Sequence, residues 1–344
     1  MAYTTINKST DYFNTKLWTG TGSNGNAISG VGFAPDLVWV KNRSGTYDHV
    51  LFDRVRGDNK HIESNNNSAE ENEANTLAFG SDGYSVGTNT LNNSGSNIVG
   101  WNWKANGQGS SNTDGSINTT YTSVNTTAGF SISKYTGTGA NATFGHGLGV
   151  KPDIVFWKRT DNSAGAVNWI VQSPLLGNQT KLVLNTTEAT STGSSFSQTD
   201  NWTNSLIDLK TYEGENSSGG TYIAYAFASK TGYSKIGSYV GNGNANGTFI
   251  YTGFKPAFVM LKETSNADNW IIMDNKRLGY NPRNDHLFPN TNAVEYATDR
   301  IDLVSNGIKI NNDDGGINTS GATYIYMAIG QSLVGSNNVP CTAR

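Results

Sequence analysis

Two glycine-bounded motifs in the sequence match patterns that bind nucleotides or hydrolyse esters in other proteins. Gly20-Thr-Gly-Ser-Asn-Gly25 spells the G-x-G-x-x-G fingerprint of dinucleotide-binding loops, and Gly83-Tyr-Ser-Val-Gly87 spells the nucleophile elbow of serine hydrolases. A dinucleotide loop must lead into a helix, but the residues after the first motif have no helical pattern. The elbow needs a strand-to-helix turn and a partner histidine, whereas we expect a plain strand after an Asp-Gly turn. Neither motif predicts an active site.

Metal ligands are too dispersed in the sequence to predict a metal site. The histidines form no H-x-H or H-x-x-x-H pair, and the single cysteine is Cys341, so a zinc site is not expected. Asn312-Asp-Asp-Gly-Gly316 offers oxygen ligands but lacks the calcium loop that ends in Glu. Calcium at a loop stays an open alternative, and no cofactor is predicted.

Carboxylates concentrate in one stretch, at Glu63 and Glu70-Glu-Asn-Glu73. Paired carboxylates hydrolyse glycosides when their environments drive the two pKa values apart. This stretch is rich in Asn and Ser, so we expect solvated side chains with ordinary pKa values. We predict no catalytic residues and a protein that is not an enzyme, with a glycan depolymerase as the weaker alternative.

The aromatic residues divide into a core set and a ligand-binding set. Four tryptophans lie in apolar stretches and are predicted to be core: Trp39, Trp157, Trp169 and Trp270. Other aromatic residues lie in polar loops, where an exposed ring can stack on a sugar. The candidate ligand-stacking residues are Tyr47, Trp202 and Tyr280.

Three copies of one pattern organise the chain. Each copy has an aromatic-x-Gly-x-Gly element, a Gly-x-x-Pro-x-x-Val-x-x-Lys element and a closing segment rich in aromatic residues. The matched lysines, Lys41, Lys158 and Lys262, are 117 and 104 residues apart, as are the matched glycines and prolines. Constant offsets of this kind indicate tandem structural repeats, which we number 1 to 3 in chain order.

Each repeat contains short β-branched and aromatic segments separated by Asn-Gly, Ser-Gly and Asp-Gly turns. The apolar run before each matched lysine predicts a central strand covered on both faces. We predict an all-β protein of three tandem β-sandwich repeats, jelly-roll or concanavalin-like, with an immunoglobulin-like sandwich as the alternative. The predicted boundaries are an N-terminal arm at 1–13, sandwiches at 14–105, 128–230 and 234–331, a Gly/Ser/Asn/Thr linker at 106–127 and a C-terminal tail at 332–344.

Composition and charge exclude several classes of partner. Charged residues make up 15% of the chain and the net charge is −3, which provides no basic footprint for nucleic acid or anionic lipid. The longest nearly apolar stretch, 222–228, is too short to cross a bilayer, and the first residues lack the apolar core of a secretory signal. We expect no membrane insertion and release from the cell by lysis.

The repeat motifs resemble those of a known family. The Tyr-Thr-Gly-Thr-Gly, Gly-x-x-Pro-Asp-x-Val-x-x-Lys, Asn-Trp-Ile and Tyr-Ile-Tyr-Met-Ala elements, together with the ending Asn338-Val-Pro-Cys-Thr-Ala-Arg344, resemble virion structural proteins of marine tailed phages of cyanophage and pelagiphage type. The resemblance covers nearly the whole chain, although Trp18 and Ala257 replace a Tyr and an Asp of the other repeats. It implies a location at the virion surface, with other capsid or tail proteins as partners.

These observations predict a non-enzymatic structural protein of a tailed-phage virion that decorates the capsid or tail. The alternative is a tail-fibre-type adhesin that binds host-surface glycan, and a homo-oligomer is a further option. The unequal linkers favour a linear or bent string of domains over packing about a pseudo-threefold axis. The terminal segments are expected to dock on a neighbouring chain. The candidate assembly contacts are Tyr3, Ile6, Tyr12, Phe13, Leu333 and Val339.

Overall fold

The computed structural model describes residues 4–163, 165–278, 281, 285–298 and 300–332. Within these residues the protein is nearly all β, with several antiparallel sheets. Three sheets are large and three are small, and each sequence repeat contributes one of each kind.

Repeat 1 forms a six-stranded sheet and a three-stranded sheet, preceded by a 3₁₀ turn at Ser9–Asp11. Its strands are β1 (Phe13–Thr19), β2 (Asn26–Ser29), β3 (Leu37–Asn42), β4 (His49–Asp53), β5 (Lys60–Glu63), β6 (Glu71–Asn72), β7 (Leu77–Phe79), β8 (Gly83–Val86) and β9 (Asn97–Trp103). The large sheet has the order β1-β9-β3-β4-β5-β6, and the small sheet has the order β2-β8-β7.

Repeat 2 forms a seven-stranded sheet and a two-stranded sheet. Its elements are β10 (Tyr121–Asn125), β11 (Phe130–Thr136), β12 (Ala142–Gly145), β13 (Ile154–Arg159), β14 (Ile170–Gln172), a 3₁₀ turn (Pro174–Leu176), β15 (Thr180–Val183), β16 (Ser191–Thr192), a 3₁₀ turn (Thr199–Asn201), β17 (Leu206–Leu209), α1 (Glu213–Asn216) and β18 (Thr221–Phe227). The strand orders are β10-β11-β18-β13-β14-β15-β16 and β12-β17.

Repeat 3 forms a six-stranded sheet and a three-stranded sheet. Its elements are β19 (Ser234–Val240), β20 (Phe249–Tyr251), β21 (Pro256–Glu263), β22 (Ile271–Asp274), β23 (Asp285–Leu287), β24 (Tyr296–Ala297), β25 (Ile301–Val304), β26 (Gly307–Ile310), α2 (Gly315–Asn318) and β27 (Thr323–Gly330). The strand orders are β19-β27-β21-β22-β23-β24 and β20-β26-β25. Apart from the additional β10, the three large sheets have the same order.

The central strands β3, β13 and β21 are covered on both faces, as their apolar runs predict. Side chains alternate between the two faces of a strand, so each central strand lies between two cores. In β3, Trp39 packs in one core while Val38 and Val40 pack in another, which includes residues of the small sheet. Strands β13 and β21 divide their side chains in the same way.

One apolar core joins all three large sheets, so the expectation of a string of domains is wrong. Trp103 of repeat 1 has its ring centroid 6.4 Å from that of Phe227 in repeat 2 and 5.6 Å from that of Phe258 in repeat 3. The composition of the linkers does not predict this packing, because burial of these sheet faces determines how the repeats pack.

The matched lysines connect the repeats in a closed cycle. Each is fully buried, and its Nζ donates to a backbone carbonyl of another repeat. The pairs are Lys41 to Asn292 at 3.1 Å, Lys158 to Asn67 at 3.3 Å and Lys262 to Thr187 at 3.3 Å. Repeat 1 therefore contacts repeat 3, repeat 2 contacts repeat 1, and repeat 3 contacts repeat 2, which is a pseudo-threefold arrangement.

The segments predicted to be an arm and a linker are partly built into this body. Ile6 and Phe13 are buried in the shared core, and Tyr12 packs at its edge with its ring 6.1 Å from that of Tyr233. Ile6 and Phe13 are therefore core residues of their own chain, and their prediction as assembly contacts is wrong, whereas the partly buried Tyr12 stays a candidate assembly contact. Tyr3, Leu333 and Val339 lie outside the described residues.

The stretch 106–127 contains β10, which pairs with β11, and the buried Ile117, so its prediction as a linker is wrong for these residues. A composition of Gly, Ser, Asn and Thr is shared by flexible linkers and by tight turns between short strands, and it does not separate the two.

Candidate functional site

The aromatic-x-Gly-x-Gly loops are held by a buried asparagine in each repeat. In repeat 1, Oδ1 of Asn92 accepts from the amide of Thr21 at 2.9 Å, and its Nδ2 donates to the carbonyl of Ser23 at 2.6 Å. A Cβ on Gly20 would collide with the carbonyl of Asn93. Asn216 and Asn318 hold the matching loops of repeats 2 and 3. The loop is thus fastened to its own repeat, and strand β2, not a helix, follows it.

The three candidate ligand-stacking residues differ in where they lie in the structure. Trp202 is 3% exposed; its ring packs 5.8 Å from that of Trp157, and its Nε1 donates to Oγ of Ser197 at 2.9 Å. The prediction that Trp202 stacks on a ligand is therefore wrong, because a polar neighbourhood in sequence concealed a core position. Tyr280 lies outside the described residues, and Tyr47 remains a candidate.

Tyr47 lies at a groove of about 480 Å³ in repeat 1. The ring passes over Gly45, where a Cβ would come within 2.7 Å of Cε2 of Tyr47, so only glycine leaves room for this ring position. Strands β5 and β6 contribute His61, Glu63 and Glu71 to the lining. The remaining lining combines the apolar side chains of Val50 and Leu91 with polar ones, which are Asp48, Glu73, Thr46, Thr76, Asn89, Thr90 and Asn93.

One carboxylate of the groove, that of Glu63, is less solvated than its sequence neighbourhood predicts, whereas Glu71 and Glu73 are exposed. Glu63 is half-buried; burial and the nearby charges of Asp48, Glu71 and Glu73 raise its pKa, although it accepts a hydrogen bond from Nδ2 of Asn66. The expectation of an ordinary pKa is wrong for Glu63. Sequence reasoning missed the groove because β5 and β6 are too short to be recognised without their partner strand.

His61 forms the inner wall of the groove. It is 5% exposed, and burial lowers its pKa, so the imidazole is neutral at pH 7. Its Nε2 lies 3.7 Å from Oε2 of Glu71, and its buried Nδ1 makes no well-formed hydrogen bond. One polar atom of the wall is thus incompletely satisfied, and a glutamate faces the other.

The matching positions in the other repeats are occupied differently. Glu63 pairs with β4, and the equivalent positions opposite β14 and β22 are held by Val183 and Phe288. Glu71 pairs with β5, and the equivalent positions opposite β15 and β23 are held by Ser191 and Tyr296. In repeat 3 the aromatic rings of Phe288 and Tyr296 pack 5.2 Å apart. The fold therefore does not require carboxylates at these positions.

Two classes of site have no support among the residues that the structure describes. No group of three or more His, Cys, Asp or Glu side chains there lies close enough to hold a metal ion. The described helices α1 and α2 span four residues each, and neither has the length or the apolar character of a membrane-crossing helix.

Comparison with known proteins identifies one family. A model described as "Domain of unknown function (DUF7483)" matches residues 8–332. The chain belongs to this family. The match runs through all three large sheets as one domain, in agreement with their shared core. Neither a curated protein nor a solved structure matches the chain.

Proposed function

We propose that the protein is a non-enzymatic structural protein of a tailed-phage virion, displayed on the particle surface as a decoration or appendage of the capsid or tail. The observation that carries the proposal is that the repeat-signature residues serve internal packing: the buried lysines close the cycle of repeats, and the glycine-rich loops are fastened by asparagines. The sequence resemblance to virion proteins points the same way.

In this proposal each repeat is a β-sandwich of the jelly-roll or concanavalin-like kind. The equal strand order of the large sheets supports it, as do the three separate cores between large and small sheets. Other virion proteins are the partners, and the net charge of −3 argues against binding to nucleic acid.

The test is the position of the protein on intact particles. Antibodies raised against the recombinant chain should label purified virions of a phage that encodes it, and electron cryomicroscopy should place density of this three-sheet shape on the capsid or the tail. Particles that lack the protein, with the chain found only in the lysate, would refute the proposal.

A second candidate function is adhesion to a host-surface glycan, and the groove at Tyr47 favours it. A half-buried aromatic ring beside carboxylate, amide and hydroxyl groups is suited to a sugar, whose C–H face packs on the ring while its hydroxyls donate to oxygens. A glycan array probed with the wild type and Tyr47→Ala tests this function. Tyr251→Ala removes an exposed tyrosine of β20, which does not line the groove, and is the control. Binding that survives Tyr47→Ala would exclude the groove.

A further inference from the structure

We propose that a groove between repeats 1 and 3 binds an extended acidic peptide of a partner protein, which adds as a strand to the edge of β1. The groove has a volume of about 210 Å³, and we call it the junction groove. Residues of β1 and of the turn before it form one wall, and residues at the start of β21, after β22 and at the end of β27 form the other. The inference holds for any partner protein, so it does not rest on the virion proposal.

One edge of β1 is open along the junction groove. The amide of Lys104, directly after β9, donates to the carbonyl of Tyr12 at 2.9 Å, so by antiparallel alternation the amides and carbonyls of Phe13 and Thr15 face away from β9. Both of these residues line the groove. No hydrogen bond to these outward groups is present in the part of the chain that the structure describes. An open edge of this kind can accept an extended peptide as an additional strand.

The other repeats cover the corresponding edge with their own chain. In repeat 2, β10 pairs with β11, and Ser123 lies opposite Ile132, the counterpart of Thr15. In repeat 3 the amide of Ile236, the next counterpart, donates to Oγ of Ser229 at 3.0 Å. Repeat 1 has neither kind of partner among its described residues. Repeat 2 therefore shows, within this chain, how an added strand fits this edge.

An aspartate of the other repeats is missing from the junction groove. Asp36 accepts from the amide of Ala105 at 2.6 Å, and Asp153 accepts from that of Ser229 at 2.7 Å, where the chain leaves the last strand of repeats 1 and 2. Ala257 occupies this position in repeat 3 and lines the groove. The junction groove is therefore open where the other repeats carry their own carboxylate.

The missing aspartate leaves space rather than an unpaired amide. The amide of Gln331, which corresponds to those of Ala105 and Ser229, donates to the carbonyl of Lys255 at 2.9 Å. Gln331 and Ala257 both line the junction groove. A carboxylate from outside the chain can therefore enter without displacing an internal hydrogen bond.

The charge of the junction groove is positive. Lys276 is the only charged residue of its lining, and its ammonium forms no ion pair with the described residues. Val55 and Leu175 occupy its position in repeats 1 and 2, so the fold does not require a lysine there. Thr15 replaces the isoleucines of the other repeats, and its buried Oγ1 makes no hydrogen bond. An acidic side chain would supply the charge and the acceptors that this lining lacks.

The ends of this chain that lie outside the described residues do not supply the acid. Residues 1–3 and 333–344 contain neither Asp nor Glu. Ser332, the last described residue, lies at the groove with its Oγ 3.4 Å from the amide of Thr10. The acidic strand is therefore assigned to another protein.

Fluorescence anisotropy on the full chain tests the inference, with a labelled peptide of alternating Thr and Asp, about eight residues long, as the probe. Ala257→Asp restores the carboxylate of the other repeats, and Lys276→Val introduces the residue of repeat 1, so both variants are expected to fold. We expect each to weaken binding by about tenfold or more. Lys151→Ala is the matched control, because it removes a lysine of repeat 2 outside the groove and introduces the residue that repeat 1 carries as Ala34. It should bind as the wild type does.

Further ligands separate the outcomes. A peptide of alternating Thr and Asn should bind about tenfold more weakly or worse, and glutarate at the same concentration should not compete. Equal binding of the Asn peptide would overturn the requirement for acid. Equal competition by glutarate would show a site for small anions and would overturn the added strand. The proposal also fails if the acidic peptide does not bind, or if it binds both groove variants as well as the wild type.

Two other occupants of the junction groove are tested with the same variants. A gain of about tenfold in peptide affinity on removal of residues 333–344 would show that this segment fills the groove, and would overturn the proposal. Sedimentation velocity measures self-association. A dimer of the wild type that Ala257→Asp dissociates would assign the groove to a second copy of this chain, which would also overturn it.

Discussion

Nε1 of Trp101 in repeat 1 donates a 2.9 Å hydrogen bond to Oδ2 of Asp274 in repeat 3. Asp274 also accepts from Nε of Arg277 at 2.6 Å, and both of these side chains are fully buried. Although burial opposes ionisation, the Arg277 guanidinium and these hydrogen bonds hold the pKa of Asp274 below its usual value. A charged pair in the interior thereby fixes one repeat against another.

The same arrangement occurs once more in the cycle. The hydroxyl of Tyr225 in repeat 2 donates to Oδ2 of Asp53 in repeat 1 at 2.7 Å, and Asp53 pairs with the buried Arg56. At the third junction between repeats, which joins repeats 2 and 3, the aspartate, the arginine and the aromatic donor are all replaced. Ser173, Leu176 and Met327 occupy the positions of the aspartate, the arginine and the aromatic donor. An uncharged junction needs no donor, so the substitutions compensate one another.

Trp101→Phe is expected to lower the free energy of unfolding by about 1.5–3 kcal/mol more than Trp103→Phe, since a hydrogen bond to a charged group is lost only in the first variant. Both indoles are buried in the shared core, but Nε1 of Trp103 has no hydrogen-bond partner. Denaturant unfolding of the two variants measures the difference, and equal losses would show that the bond to Asp274 contributes nothing.

Arg277→Leu is expected to cost about 3–5 kcal/mol, because it leaves the Asp274 carboxylate buried without its cation. Adding Asp274→Ser and Trp101→Met reproduces the residues of the uncharged junction and should recover most of the loss. The free energies of unfolding of the single and triple variants test this. A triple variant less stable than Arg277→Leu would contradict the interpretation that the junctions are interchangeable.

Lys158→Met is expected to flatten the dependence of stability on pH between about 8 and 9.5. Burial lowers the pKa of Lys158 to about 8, below its value of 10.5 in the unfolded chain. In this window the unfolded chain binds more protons than the folded chain, so the free energy of unfolding rises with pH. Unfolding midpoints at several pH values measure the slope, and a variant with the wild-type slope would show that Lys158 does not titrate there.

Glu215→Gln is expected to stabilise the protein at pH 8. Burial raises the pKa of Glu215 from 4.5 to about 8. The folded chain therefore retains a proton that the unfolded chain has lost, and the stabilising contribution present below pH 4.5 disappears as pH rises through 8. Gln keeps an oxygen to accept from the amide of Ser197, as Oε2 does at 3.0 Å. Thermal unfolding at pH 5 and pH 8 should show the gain only at the higher pH, with exposed Glu188→Gln as the unaffected control.

Ile6→Ala is expected to destabilise the protein by about 2–4 kcal/mol, because Ile6 is 3% exposed in the core that joins the large sheets. Lys8→Ala, at a neighbouring exposed position, should be neutral. Chemical unfolding of both variants is the measurement. A neutral Ile6→Ala would restore the interpretation of residues 1–13 as an arm that docks elsewhere.

Features that depend on local backbone geometry could be derived from the sequence by itself. The sequence predicts three sets of short strands. Glycines mark the turns and loops, because a positive φ or a close approach of two backbone segments favours glycine. Apolar runs before the lysines mark the central strands, because burial on both faces requires apolar side chains. The repeat of the lysines at constant offsets showed that they share one role. Trp39, Trp157, Trp169 and Trp270 were correctly placed in the interior because their strands are continuously apolar.

Features that depend on which surfaces meet were decided only by the tertiary structure. Lys41 finds its acceptor at Asn292, 251 residues away, and no local pattern identifies that carbonyl. Trp202 lies in a polar stretch of sequence but packs against Trp157, and Ile6 enters a core built from all three repeats. The groove at Tyr47 exists because strand pairing places Glu63 and Glu71 where other repeats carry apolar or smaller side chains. Burial and charge at each of these positions come from partners distant in sequence, so the same residue types have different environments in different repeats.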